Sequence, residues 1–177
     1  DPTSGPLAGT KPTEAYTGRY KTTADVTIKA ETGSVIDVNF GFVKPASVGD
    51  YTWMDVNRDG LQDADEPALP GVTVTLTRAD GSAVTDASGN PVAAVTTDAN
   101  GKYVFENLLP GDYKVSFQAP AGYEATTSEA GDDRAADSNG ASASVALAQG
   151  QTDDTIDFGA VGTGVIGDQL FVDVNQN

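Results

Sequence analysis

The sequence predicts an all-β protein, a two-sheet β-sandwich carried as a tandem repeat. Three observations carry that expectation. Short runs alternate apolar and polar residues, turn-forming residues punctuate those runs, and an ordered set of segments recurs at constant spacing. Val48-Gly49-Asp50 returns as Ile166-Gly167-Asp168, Asp55-Val56-Asn57 as Asp173-Val174-Asn175, and Phe40-Gly41 as Phe158-Gly159. Positions 48 and 166, 55 and 173, and 40 and 158 are all 118 apart. The chain therefore divides into the tail of one module over residues 1–44, a complete module over 45–162, and the truncated start of a third over 163–177.

Within the complete module, Val48 to Met54 mixes aromatic and β-branched residues and suits a strand. Gly71-Val72-Thr73-Val74-Thr75-Leu76-Thr77 alternates apolar residues with threonine, which puts Val72, Val74 and Leu76 on one buried face. Lys102-Tyr103-Val104-Phe105 and Asp112-Tyr113-Lys114-Val115-Ser116-Phe117 come next, joined through Pro110-Gly111, with Tyr103, Phe105, Tyr113, Val115 and Phe117 inward. Later strands run through Val145-Ala146-Leu147 and Ile156-Asp157-Phe158. Asp80-Gly81, Ser88-Gly89-Asn90, Asp98-Ala99-Asn100-Gly101, Ala121-Gly122 and Asn139-Gly140 supply the turns. About seven short strands with regular turns make a sandwich of ordinary domain size.

Between the first two strands lies Asp55-Val56-Asn57-Arg58-Asp59-Gly60-Leu61-Gln62-Asp63-Ala64-Asp65-Glu66. It fits the spacing D-x-[DN]-x-[DN]-G-x₅-E of a calcium loop at every constrained position. A hard divalent cation takes six to eight oxygens, and the spacing offers side chains from Asp55, Asn57, Asp59 and Asp63, the Leu61 carbonyl, and both oxygens of Glu66. Gly60 permits the sharp turn. Pro67 and Pro70-Gly71 exclude the long exit helix of a helix–loop–helix sensor, so the cation is expected to staple a loop between strands. The third module's partial loop repeats the pattern with Asp173, Asn175 and Asn177.

Composition narrows the function classes. Ten Lys and Arg against 26 Asp and Glu leave a net charge of −16, which repels nucleic acid and anionic membranes. There is no cysteine for disulfides and no histidine, so Ser-His and Cys-His nucleophile pairs cannot form. No apolar run is long enough to span a bilayer. The chain starts at Asp1 without methionine and stops inside a calcium loop, as expected for an excerpt from a longer array.

In order, Val48-Gly49-Asp50-x-x-Trp53, the acidic loop, Gly71-Val72-Thr73-Val74-Thr75-Leu76, Thr97-Asp98-Ala99-Asn100-Gly101-Lys102-Tyr103-x-Phe105, Pro110-Gly111-Asp112-Tyr113-x-Val115, Pro120-x-Gly122-Tyr123, Asp137-Ser138-Asn139-Gly140 and Asp157-Phe158-Gly159 resemble the calcium-binding B-domains of bacterial serine–aspartate-repeat surface adhesins. The resemblance implies a sandwich of reversed immunoglobulin-like, transthyretin-like topology, repeated as an extracellular stalk on a bacterial cell surface or in a secreted fibre. It also implies more than one calcium, with Asp132, Asp133, Asp137 and Asn139 as candidate further ligands. Related pilin sandwiches crosslink a lysine to an asparagine or aspartate beside a buried acid. Here the first strand has no lysine between Val48 and Met54, and Phe117 stands where the acid is expected.

Three functions compete on these grounds. The first is a calcium-rigidified spacer, whose partners are neighbouring modules of its own chain and other copies in a fibre. The second is a binding module for a carbohydrate or host protein, for which Trp53, the only tryptophan, would be the natural sugar platform. Placed directly before the metal loop, Trp53 is expected instead to support the core. Enzymatic activity is not expected, because the acidic clusters sit at metal-loop or turn spacing and no nucleophile stands beside a base.

Overall fold

The computed structural model describes residues 11–13 and 41–164. Its strands are β1 (Lys11–Thr13), β2 (Gly41–Val43), β3 (Ala46–Met54), β4 (Thr73–Arg78), β5 (Val95–Thr96), β6 (Lys102–Leu108), β7 (Gly111–Gln118), β8 (Tyr123–Ala125), β9 (Ser142–Leu147), β10 (Thr152–Asp153) and β11 (Phe158–Gly162). Among the described residues there is no helix. β1 and β2 form a separate antiparallel pair in the N-terminal segment.

Strands β3 to β11 make the sandwich. One sheet centres on β3, with β6 antiparallel on one side and β10 and then β11 parallel on the other, β8 closing the far edge. The other sheet runs β5-β4-β7-β9, antiparallel throughout. β10 pairs with the start of β3 and β11 with its end, so they form one interrupted strand whose break over 154–157 carries Asp157.

Alternation places the core where the sequence assigns it. Val72, Val74, Leu76, Tyr103, Phe105, Tyr113, Val115, Phe117, Leu147, Ile156 and Phe158 are all buried. Phe117 lies at the centre, stacked on Phe158 at 5.1 Å and meeting the edge of Tyr103 at 5.5 Å. The buried phenols keep their polar ends satisfied: Tyr103 donates to the Ile156 carbonyl at 2.6 Å and Tyr113 to the Leu109 carbonyl at 2.5 Å. Trp53 is fully buried. Asp98 is a turn residue, accepting from the Asn100 and Lys102 amides at 2.8 and 2.9 Å.

Two features go beyond what the sequence shows. The short strands β5, β8 and β10 are too brief to show a period and exist only because a longer neighbour pairs with them. Asp50 is a strand residue that the sequence left without a role. It lies within β3 opposite Tyr103, where Lys102 reaches it at 3.0 Å from the adjacent strand.

Candidate metal centre

The acidic loop leaves β3 at Asp55, whose amide donates to the Ala160 carbonyl of β11 at 2.9 Å. Asp55 is buried, and its carboxylate organises the loop from inside. It accepts from the Arg58 amide at 2.5 Å, from the Gly60 amide at 2.9 Å, and from the Thr126 hydroxyl after β8. Asn57 Oδ1 accepts from the Asp59 amide at 3.0 Å, and Asp59 Oδ1 from the Leu61 amide at 2.8 Å. These side-chain-to-backbone bonds turn the chain every second residue, bringing positions 55, 57 and 59 to one side. Glu66 closes the ring, accepting from the Val56 amide at 2.7 Å and the Asp63 amide at 3.3 Å.

Gly60 is required twice. Its φ of +80° suits glycine, and a Cβ there would lie 2.9 Å from the Ala130 side chain. Arg58 also takes a left-handed φ of +64°, and its guanidinium reaches the Gly162 carbonyl at 3.4 Å, where β11 ends.

The donor set fits a calcium ion in chemistry. Every side chain turned into the loop offers oxygen, and each carboxylate oxygen holding one N–H keeps a second lone pair. The Asn57 amide nitrogen donates to both Asp59 and Asp63, at 2.9 Å each. The positive edge of a dipole thus lies between two carboxylates, where a cation would be stabilised more strongly. Among the described residues no three acidic groups converge tightly enough to hold an ion in this arrangement.

A second acidic segment packs on the first. Leu61 bridges Asp137, flanked by the Gln62 amide on the Ala136 carbonyl at 2.8 Å and the Ser138 amide on the Gly60 carbonyl at 3.0 Å. Asp137 is fully buried. Its Oδ2 faces Arg134 at 3.5 Å, its Oδ1 has no partner, and burial raises its pKa. Asp132 and Asp133 are exposed, and Asp133 caps its own turn by accepting from the Ala135 amide at 3.1 Å. Asn139 Oδ1 accepts from the Asp157 amide at 2.6 Å, tying this segment to the start of β11. Asp173, Asn175 and Asn177 lie outside the described residues.

Sequence reasoning missed Thr126 and Asp157. Nothing local marks Thr126. Asp157 carried a signal, an acid between the strand residues Ile156 and Phe158. It is fully buried, accepts from the Tyr51 amide at 3.3 Å through Oδ1, and leaves Oδ2 without a partner. Burial, then the charge of Asp50, pushes its carboxyl up to about 8.

A family profile described as SdrD B-like domain matches residues 46–160. Over 159 residues the chain is 38% identical to serine-aspartate repeat-containing protein F of Staphylococcus epidermidis, covering 88% of this chain and 8% of that protein. Over 145 residues it is 39% identical to serine-aspartate repeat-containing protein D of Staphylococcus aureus strain Newman, covering 80% and 10%. The chain thus spans a tenth or less of these relatives' length. Among solved structures, GBS52, the minor pilin of Streptococcus agalactiae, is similar with TM-score 0.45 and 17% identity, over 80% of this chain and 61% of that one.

Proposed function

The chain belongs to the SdrD B-like domain family, and on that basis we propose that residues 45–162 form a calcium-stiffened spacer in an extracellular bacterial surface protein. The module is structural and not an enzyme.

One observation carries the spacer reading. The first and last strands of the sandwich are parallel neighbours, with Thr52 opposite Phe158 and Met54 opposite Ala160. The chain therefore enters at one pole and leaves at the other, roughly 30 Å away for a nine-residue strand. Modules joined in that way extend end to end instead of folding back. The acidic loop lies at the exit pole, bonded to β11 through Asp55 and Arg58.

Calcium would be held by Asp55, Asn57, Asp59, the Leu61 carbonyl, Asp63 and Glu66. Asp137, with its orphaned oxygen, is the strongest of the second-segment candidates. Asp132, Asp133 and Asn139 remain with it as proposed ligands. When bound, the ion supplies positive charge that offsets the repulsion among the loop's carboxylates. An ion present at a hundred times its dissociation constant adds about 2.7 kcal/mol to stability. Partners are the adjoining modules and other copies in a fibre. The binding-module alternative is weakened by Trp53, which is buried and cannot present a platform to a sugar.

Calorimetric titration of the chelator-stripped chain with calcium tests the site. Stoichiometric uptake, abolished by Asp55→Ala with Glu66→Ala, is the expected result. Absence of uptake removes calcium from the reading, and uptake unaffected by that double substitution removes the 55–66 loop from it.

A further inference from the structure

The segment that joins β2 to β3 consists of Lys44 and Pro45 alone. Displaced by the 118-residue repeat, β2 falls on Gly159 to Val161 of β11, the last strand of a module. β2 is also bonded antiparallel to an earlier strand, β1, as β11 is to β8, although β1 does not stand 118 residues before β8. Lys44 and Pro45 are therefore the whole covalent join between consecutive modules, on the tandem-array reading proposed above.

This join is gripped by a turn far away in sequence. The turn over 148–151 connects β9 to β10. Its Gly150 amide donates to the Lys44 carbonyl at 3.0 Å, and its Gln151 carbonyl accepts from the Ser47 amide at 2.9 Å. The two bonds bracket Pro45. The turn is itself braced: the Gln151 side chain accepts from the Ala148 amide at 2.8 Å and donates to Asp153 at 3.2 Å. The aliphatic stem of Lys44 crosses Gly150 so closely that a Cβ there would stand 2.6 Å from Lys44 Cδ. Val43 is buried although it lies outside the sandwich core cluster.

Little freedom remains in such a join. Proline fixes its own φ, and the residue before proline is confined to extended backbone. The Gly150 hydrogen bond then sets the direction of the Lys44 carbonyl. None of these contacts uses a residue of the acidic loop.

We propose that the 148–151 turn is an inter-module clamp, a docking surface for the exit segment of the preceding module that stiffens the join without metal. Amide ¹⁵N relaxation on the 177-residue chain tests it. The Lys44 amide should show an order parameter near 0.85, as in rigid backbone, with calcium and with chelator. Gly150→Ala should lower it below about 0.6. Gly81→Ala is the control, because Gly81 has a comparable positive φ of +83° with nothing within 4 Å. It should leave Lys44 unchanged. Combining Gly150→Ala with Lys44→Ala removes the collision but not the strain of the positive φ, and should raise the order parameter at residue 44 above that of Gly150→Ala alone. A mobile Lys44 in the unaltered chain, equal effects of Gly150→Ala and Gly81→Ala, or no rescue in the double variant overturns the clamp. A fall in order on chelation alone also overturns it while leaving calcium stiffening intact, so the two readings fail separately.

Discussion

At the level of single residues, buried carboxylates decide how this module responds to its solvent. Asp157 is held neutral by burial and by Asp50, so folding favours its protonated form. The native carboxyl titrates near 8 against an ordinary value of 3.8. The stability it contributes is complete below about pH 4 and is lost as pH rises through about 8. In calcium-free buffer the Tm of the unaltered chain should therefore fall between about pH 4 and 8 more steeply than that of Asp157→Asn, and the two should run parallel above that range. The variant keeps an oxygen for the Tyr51 amide and turns an uncharged donor toward Asp50. Thermal melts across that range check this, and parallel curves for the two proteins within it would refute it.

Among the elements, β7 is central to the packing of its sheet. It sits inside its sheet between β4 and β9, with Phe117 against Phe158 and Tyr103 of the facing sheet. Truncating Phe117 to Ala should cost about 3–5 kcal/mol, since both facing rings lose their partner and the cavity cannot collapse. Val104→Ala on the outer face of β6 should stay within about 0.5 kcal/mol, because Val104 is half exposed. Urea unfolding of the two variants gives the comparison directly. The resemblance to crosslinked sandwiches places their acid at this position, which Phe117 fills here. Intact mass should equal the sequence mass, and a deficit of about 17–18 Da, the ammonia or water released by amide formation, would refute that reading.

For the whole molecule, the proposed spacer divides the work of stiffening between packing and a bound metal, and that division can be measured. Parallel β3 and β11 set the direction of travel, the turn at 148–151 is bonded to Lys44 before the first sandwich strand, and the acidic loop is bonded to Gly162 at the end of the last. Chelation should lower the melting temperature by several degrees, as a loss of one to a few kcal/mol implies for a module of this size. Small-angle scattering from a chain carrying two full modules should still show an extended particle after chelation, with a broadened distance distribution. An unchanged melt and profile would place stiffness in packing and the clamp alone.

Features governed by local rules were legible in the order of the amino acids. Alternation assigned every expected core side chain from Val72 to Phe158 to the inside, because strand geometry puts successive residues on opposite faces. Spacing exposed the 55–66 loop, because its turns are built from side-chain-to-backbone bonds between residues two to five apart. Family membership was readable from the order of those segments. Which distant pieces meet was settled by the folded arrangement alone. It set the Thr126 hydroxyl on Asp55, Asp137 beside Leu61, the break that buries Asp157, and Gly150 on Lys44. These contacts join segments far apart in the chain, and they arise when two twisted sheets close on one another. No periodicity encodes that closure, since its register depends on how all the strands pair at once.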